Sequence, residues 1–270
     1  MNSTINRVAI KIKNMVKDEE LSNDEKCEKI LNKILRISRL IRADYPRDYI
    51  VTSHFQSNLS WSNPFRLKIL KQIRNFANNE PIIECGAGRG LLSLLLKIEG
   101  CLIFPQDDGS WYRRNETFVK IFIEDFTSLM DNLPFNVLLL SWPPYNKSFA
   151  YDTLRNFKGN KLISITEGKG GACANDDYFE LLEREWIEIK MLDDNSLPGI
   201  TQFIVLYERR DFIRNKYTKY VERIKSGEIE DTILSDLYSG ETTMKELQKS
   251  FPFEPVDSFL EIVEEIIDEI

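Results

Sequence analysis

The sequence predicts an α/β protein whose core is a seven-stranded, doubly wound sheet. From residue 81 onward, short apolar stretches alternate with helical patterns, which is typical of a mainly parallel sheet covered by helices on both faces. The last two apolar stretches are joined only by a loop that contains Pro198 and Gly199, which favours an antiparallel pair at one edge. A turn with three glycines follows the first stretch and leads into a leucine-rich helix.

The predicted strands share a short length and a mainly apolar composition. They cover residues 81–85, 100–104, 119–123, 136–141, 161–165, 186–192 and 202–207. Apolar residues at three- and four-residue intervals predict a helix over 4–43, and helical patterns return after Arg210. We therefore expect a helical amino-terminal extension (1–58), a sheet domain (59–210) and an acidic helical tail (211–270).

Charge is distributed unevenly along the 270 residues. The formal net charge is −7, but residues 226–270 alone carry −11, so the rest of the chain is mildly basic at +4. Nucleic-acid binding depends on local patches of positive charge, so a negative net charge of the whole chain does not exclude it. The simplest interpretation of the tail is a solvated helix.

Cysteine and histidine usage excludes several classes of site. The four cysteines lie far apart without a CxxC pair, and His54 is the single histidine. This argues against a zinc site, a disulfide framework and a Ser-His-Asp triad, so we expect no metal and a reducing, cytoplasmic compartment. No apolar run approaches the roughly 20 residues of a membrane span, so no membrane partner is expected.

The stretch PIIECGAGRGLL (81–92) carries the strongest local signal. Gly86, Gly88 and Gly90 alternate after a strand that has Glu84 near its end. Glycines let the backbone adopt positive φ and approach a ligand closely. The spacing differs from the dinucleotide pattern G-x-G-x-x-G, because Leu91 stands where the third glycine would fall. An acid here would repel a pyrophosphate, but it can bind a cationic amino group.

This acid-plus-glycine pattern resembles motif I of the class I S-adenosylmethionine (SAM) methyltransferases, whose sheet is Rossmann-like. The resemblance implies that SAM is the cofactor. It also implies that Glu84 and the turn formed by Gly86, Ala87, Gly88 and Gly90 hold the methionine part of SAM. Residues 59–210 would then be the SAM-binding methyltransferase domain.

The resemblance continues in order along the chain. The family places an acid just past the second strand to hold the ribose hydroxyls, and Asp107 or Asp108 stands there. After the third strand an acid and an apolar residue contact the adenine. This implies Asp125 and Phe126, with Glu124 as the alternate acid.

The fourth strand ends in Ser141-Trp142-Pro143-Pro144-Tyr145, and proline cannot continue a central strand. In amino-methyltransferases of this family the corresponding motif is (D/N/S)-P-P-(Y/F/W). Its polar residue and a backbone carbonyl accept the N–H bonds of the target amine, and its aromatic residue stacks on the target plane. The resemblance implies that Ser141 to Tyr145 present an amino nitrogen to SAM.

The motif departs from the usual pattern at Trp142, because an indole donates but does not accept a hydrogen bond. Ser141 lies one position earlier and would need a shifted strand end to act as the acceptor. The arrangement is similar to a group of little-characterised methyltransferase-like proteins with LSWPPY after strand four. This similarity covers roughly residues 59–208.

Further residues are expected to contact the substrate. Glu167 opens the loop after the fifth strand, and either faces the substrate or is a solvated loop acid. The loop between strands two and three carries Trp111, Arg113 and Arg114. Aromatic side chains stack on bases while arginine binds phosphate, so this mixture suits nucleic acid.

We therefore expect a SAM-dependent methyltransferase that acts on an amino nitrogen by direct transfer. The expected acceptor is a nucleic-acid base, RNA being favoured, or a protein side chain. Two alternatives remain open: a methyltransferase fold that binds SAM as a sensor or subunit without turnover, and an enzyme with a small-molecule acceptor.

Overall fold

A computed structural model describes residues 10–44, 66–110, 117–123, 135–145, 147–192 and 202–226. Residues 227–270 of the predicted acidic tail lie outside this part, as do 1–9 and 45–58 of the predicted amino-terminal extension. None of the helices in the described ranges combines the length and the apolar character that crossing a membrane requires.

The described residues form one six-stranded sheet. Its strands are β1 (Ile82–Cys85), β2 (Ile103–Gln106), β3 (Val137–Ser141), β4 (Lys161–Thr166), β5 (Trp186–Leu192) and β6 (Phe203–Arg209). The strand order is β2-β1-β3-β4-β6-β5. Strands β1 to β4 run parallel, whereas β6 is antiparallel to both β4 and β5. The α/β fold class and the antiparallel edge pair are thus confirmed.

Helices cover both faces of the sheet. They are α1 (Asn23–Asp44), α2 (Leu67–Ala77), α3 (Leu91–Ile98), α4 (Phe149–Asn156), α5 (Asp176–Glu185) and α6 (Arg210–Lys225). Side chains of α1, α2 and α3 share one apolar cluster with one face of the central strands, and those of α4 and α5 share a second cluster with the other face. The near-continuous apolar strands are explained by this two-sided burial.

The prediction of seven strands is wrong for the described residues, because the segment 119–123 forms a single bridge. Only Phe122 pairs with Gln106, at the outer edge of β2. Upstream, the amide of Phe118 donates to the carbonyl of Arg89 at 2.8 Å. The segment therefore leaves β2 to bind the glycine turn instead of extending along the sheet.

Strand β2 begins and ends later than predicted. Gly100 has a φ of 90°. The amide of Cys101 donates to the carbonyl of Leu96 at 2.9 Å, so this stretch still closes α3. Pro105 lies inside β2, and its carbonyl accepts from the Phe122 amide on the side facing away from β1. The missing N–H of proline would point to this same outer side, so the pairing between β2 and β1 loses no hydrogen bond.

The predicted uninterrupted helix over 4–43 is also wrong, because helical residues end at 16 and resume at Asn23. Ser22 and Glu25 form a capping box at this break. The Glu25 amide donates to Ser22 Oγ at 3.3 Å, and the Ser22 amide donates to Glu25 Oε2 at 2.8 Å. The S-x-x-E spacing is a local signal for this helix start.

Candidate functional site

The four parallel strands end at one edge of the sheet, where the predicted motifs lie. Cys85 at the end of β1 is in register with Gln106 on one side and Leu140 on the other. The chain after β1 continues to β2 on one flank, and β3 lies on the opposite flank. In doubly wound sheets such a switch in strand order opens a crevice outside the carboxyl ends of the strands.

The glycine turn follows β1 at this crevice and leads into α3. Gly90 has a φ of 75°, and a Cβ built on it would lie 2.6 Å from Val119 Cγ2 and 2.7 Å from Ile121 Cδ1. The amide of buried Ala87 donates to the Gln106 carbonyl at 2.9 Å, which continues the β1–β2 pairing by one residue. The turn is therefore closely packed against its neighbours at its helical end.

Gly88 occupies a different environment in the same turn. It has a φ of 55°, and a Cβ built there would meet no described atom within 4 Å. Its amide donates to Asp107 Oδ2 at 2.8 Å. The middle of the turn thus leaves room for the close approach of a ligand, which is what the sequence pattern predicts.

Glu84 is buried beneath the turn, with 2% of its surface exposed. The hydroxyl of Ser93, in the first turn of α3, donates to its Oε2. Burial raises the pKa of Glu84 to about 8, and the charge of Asp107 acts in the same direction, while the Ser93 hydrogen bond partly opposes the shift. The carboxyl group is therefore largely protonated at pH 7, and a nearby cation would favour its ionised form.

The two acids after β2 have separate environments. Asp107 is buried, and its two carboxylate oxygens accept from the amides of Gly88 and Gly109, both at 2.8 Å. Burial raises the pKa of Asp107, and these two hydrogen bonds oppose the shift. Asp107 thus ties the glycine turn to the loop after β2.

Asp108 is exposed at the same edge of the sheet. Its Oδ1 accepts from the Ser110 amide at 2.9 Å and from the Ser110 hydroxyl at 2.7 Å. Partial burial acts to raise its pKa, but the hydrogen bonds from Ser110 and the positive charge of Lys147 outweigh it, so the pKa of Asp108 is lowered. Asp108 is therefore an ionised carboxylate next to solvent at neutral pH.

The glycine turn, the acids after β2 and the segment after β3 converge. A Cβ built on Gly86 would lie 3.2 Å from the ring of Phe149, the first residue of α4. Lys147, two residues earlier, is close enough to Asp108 to affect its pKa. Three loops that are separate in sequence thus border one crevice.

The end of β3 has an unusual backbone conformation. Trp142 has a φ of 51°, in a left-handed region that bulky residues rarely adopt. Its ring packs against the first apolar cluster, and its Nε1 donates to Gln202 Oε1 at 2.8 Å. The preceding Ser141 has a buried Oγ with no hydrogen-bond partner among the described residues. The hydroxyl of Ser141, and not the indole, therefore has unused accepting capacity.

The two prolines connect this turn to the loop after β4. The Pro143 carbonyl accepts from the Ala174 amide at 2.9 Å, and Pro144 forms an isolated bridge with Cys173. Tyr145 follows with 53% of its surface exposed. An aromatic ring thus projects into solvent directly after a firmly held turn.

The structure places Glu167 at the start of the loop after β4, at the same edge of the sheet. Its Oε2 accepts from the Ala172 amide at 2.8 Å, and the Gly171 amide donates to the Gly168 carbonyl at 3.1 Å. The carboxylate is partly exposed and organises its own loop. A contact between Glu167 and the substrate stays a prediction.

Six predicted site residues lie outside the described part of the chain, so their roles stay predictions. They are Glu124, Asp125, Phe126, Trp111, Arg113 and Arg114.

Sequence reasoning missed three residues that shape the site: Ser93, Phe149 and Gln202. The first follows Glu84 by nine residues and lies in the first turn of the next helix, a spacing that could have indicated a contact with the acid. For Gln202 no sequence signal exists, since it bonds a residue 60 positions away.

The cysteines are free thiols, and burial raises the pKa of Cys173 to about 12 and that of Cys101 to about 11. Neither is therefore a nucleophile at neutral pH. The described ranges contain no group of three or more His, Cys, Asp or Glu side chains that could hold a metal ion.

No protein-family model and no curated protein matches the sequence. Among solved structures, a mutant of MtNAS is 16% identical with a TM-score of 0.41, over 77% of this chain and 97% of that chain. The N-methyltransferase NodS from Bradyrhizobium japonicum, in complex with S-adenosyl-L-homocysteine, is 12% identical with a TM-score of 0.40, over 57% and 95%. A SAM-dependent O-methyltransferase from Thermotoga maritima is 14% identical with a TM-score of 0.38, over 53% and 64%.

Proposed function

We propose that this protein is a SAM-dependent methyltransferase that transfers a methyl group to an amino nitrogen. The observation that carries the proposal is the convergence of three loops at the switch in strand order. There the open position at Gly88, the ionised Asp108 and the buried, unsatisfied hydroxyl of Ser141 lie at one edge of the sheet.

The residues at the crevice fit SAM on three counts. The unobstructed side of Gly88 admits a ligand close to the backbone. Glu84 is an acid whose burial disfavours its charge, so an ammonium group would stabilise its ionised form. Asp108 offers a carboxylate for a ribose diol, while both oxygens of Asp107 already accept from backbone amides. We therefore assign Asp108 to the ribose and Asp107 to the support of the glycine turn.

SAM, when bound, supplies a methyl group activated by a sulfonium leaving group. The nitrogen lone pair of the acceptor forms the new N–C bond, and the electron pair of the broken S–C bond remains on sulfur. The proton that the nitrogen loses passes to solvent. The protein contributes alignment and the exclusion of water, which need no strong base.

The end of β3 would orient the acceptor amine. Ser141 Oγ accepts one of its N–H bonds, and the exposed ring of Tyr145 stacks on the plane that carries it. Lys147 places a cation two residues beyond this ring. An aromatic ring beside a cation suits a base in a phosphate backbone, so we favour a nucleic-acid base, RNA first, over a protein side chain.

The proposal is tested by transfer of labelled methyl from SAM into separated RNA, DNA, protein and small-molecule fractions of a cell extract. Gly88→Asp should abolish SAM binding by calorimetry and remove the label. Gly100→Asp is the matched control, because Gly100 also has a positive φ and open space beside it but lies at the end of α3, away from the crevice. It should bind SAM and transfer methyl like the wild type.

Tyr145→Ala tests the acceptor side of the site. It should retain SAM affinity and lose transfer, whereas Tyr145→Phe keeps the ring and should retain both. Equal loss of SAM binding in Gly88→Asp and Gly100→Asp, or no SAM binding by the wild type, would show that the glycine turn does not hold this cofactor.

A second function is a SAM-binding protein without turnover. Two groups at the motif favour it: the Trp142 indole has no accepting atom and donates to Gln202, and the Pro143 carbonyl already accepts from the Ala174 amide. Neither group is therefore well placed to accept an N–H bond from an amine. Calorimetric SAM binding together with no label in any of the four fractions would support this function and reject transfer.

A further inference from the structure

We propose that Trp142 is a positioning residue for the proposed transfer. By packing on the core and bonding to Gln202, it holds the turn at 142–145 and so sets where Ser141 and Tyr145 receive the acceptor. This inference rests on the proposed function, and it assigns the residue that departs from the usual motif a role in geometry instead of acceptance.

The backbone of Trp142 indicates a turn held by its surroundings. A φ of 51° is unfavourable for a bulky side chain and persists only where other contacts enforce it. The Trp142 amide still donates to the Ile165 carbonyl at 2.9 Å, which extends the β3–β4 ladder by one residue. The backbone therefore bends at Trp142, the residue whose amide extends the ladder.

The next two residues give the turn few ways to be anchored. Pro143 and Pro144 have no backbone N–H, so neither can donate to the neighbouring segments. The turn is held instead by the carbonyl of Pro143, which accepts from Ala174, by the bridge between Pro144 and Cys173, and by the side chain of Trp142. Because the amide donors are missing, a side-chain hydrogen bond supplies a constraint that the backbone does not.

The partner of the indole is suited to that constraint. Gln202 is 8% exposed and lies directly before β6, on the far side of β4 from β3. Its Oε1 accepts from Trp142 Nε1 at 2.8 Å. The bond thus spans β4 and connects the turn to the antiparallel part of the sheet. A polar residue at position 142 whose side chain faced the methyl acceptor would not make this connection.

Four variants separate the hydrogen bond from other effects. Gln202→Met and Trp142→Phe remove the bond but retain most of the packing, and Gln202→Glu retains an acceptor. Trp186→Phe is the matched control: Trp186 is a buried indole in the same sheet, and its Nε1 has no hydrogen-bond partner among the described residues. It lies in β5, away from the crevice.

Three measurements are made on each full-length protein. Hydrogen exchange followed by NMR reports the Ala174 amide and, in every protein except Trp142→Phe, the Trp142 indole N–H. Calorimetry reports SAM affinity, and labelled methyl reports transfer into the fraction that the wild type labels. In Gln202→Met we expect exchange at both groups to accelerate about tenfold and SAM affinity to change by less than about threefold. Transfer should fall at least about tenfold, since small misplacements of reacting groups carry costs of that size.

The controls give the contrasting results. Trp142→Phe should lose transfer like Gln202→Met, whereas Gln202→Glu and Trp186→Phe should stay within about threefold of the wild type. Unaltered transfer in Gln202→Met despite faster exchange would overturn the proposal, and so would unaltered exchange at Ala174. If the wild type transfers no methyl, the proposed function fails, while faster exchange at Ala174 in Gln202→Met still supports the role of the bond in holding the turn.

Discussion

Replacing Glu84 with glutamine would remove one contribution to the pH dependence of stability, since Glu84 is a buried carboxyl group that is largely neutral at pH 7. Burial raises the pKa of Glu84 from 4.5 to about 8, with a contribution from the charge of Asp107. Because the folded state holds this proton more tightly than the unfolded state, the stability that the proton provides is complete below pH 4.5. It is lost as the pH rises towards 8.

The magnitude follows from the two pKa values. A shift from 4.5 to about 8 corresponds to a total loss of about 5 kcal/mol across the window, at about 1.4 kcal/mol per pKa unit. Between pH 6 and pH 8 the loss is about 2 kcal/mol. The glutamine amide can still accept the Ser93 hydroxyl bond, and it does not titrate.

Urea unfolding of the wild type and of Glu84→Gln at pH 6 and pH 8 measures the effect. The difference in free energy of unfolding should move by about 2 kcal/mol in favour of the variant at the higher pH, because all other titrations cancel. Ser93→Ala removes the hydrogen bond that lowers the pKa of Glu84, and should extend the pH-dependent window upwards. Parallel stabilities of the wild type and Glu84→Gln at both pH values would refute the reasoning.

The same titration has a consequence for the cofactor. If Glu84 ionises when an ammonium group binds, SAM binding at pH 7 releases a proton and strengthens towards pH 8. Calorimetry in two buffers of different ionisation enthalpy should detect the released proton in the wild type and not in Glu84→Gln. Equal proton release in both proteins would assign the proton to another group.

Three further predictions concern the neighbouring residues. Gly90→Ala should lower the free energy of unfolding in urea by about 1–3 kcal/mol, because its Cβ would overlap two apolar side chains. Gly100 has a similar positive φ but open space beside it, so an equal loss of stability in Gly100→Ala would contradict the packing argument. Asp107→Asn should lower both stability, by about 1–3 kcal/mol, and SAM affinity, since one of two backbone amides loses its acceptor. Asp108→Asn should lower SAM affinity alone, and the reverse pattern would exchange the two roles. Ser141→Ala should abolish methyl transfer without loss of stability, because the hydroxyl has no described partner; transfer at the wild-type rate would remove Ser141 from the site.

The fold class and the turns at the carboxyl edge of the sheet could be predicted because their signals are local. Apolar periodicity marked the strands, and glycine and proline marked the turns at the ends of β1 and β3. Errors arose where a local signal competed with a contact between distant residues. The Phe118 amide donates to the carbonyl of Arg89, and the predicted third strand, residues 119–123, forms only one bridge with β2 among the described residues.

By itself the sequence determined that three glycines would follow a buried strand with an acid near its end, and that SWPPY would end another strand. Both turns follow from glycine and proline, which act on their own backbone conformation. Tertiary structure alone decided that Glu84 is a largely protonated acid, that Asp107 supports the turn while Asp108 is exposed, and that Trp142 bonds to Gln202. Those properties depend on burial and on partners up to 60 residues away, which pack together only when the sheet has formed.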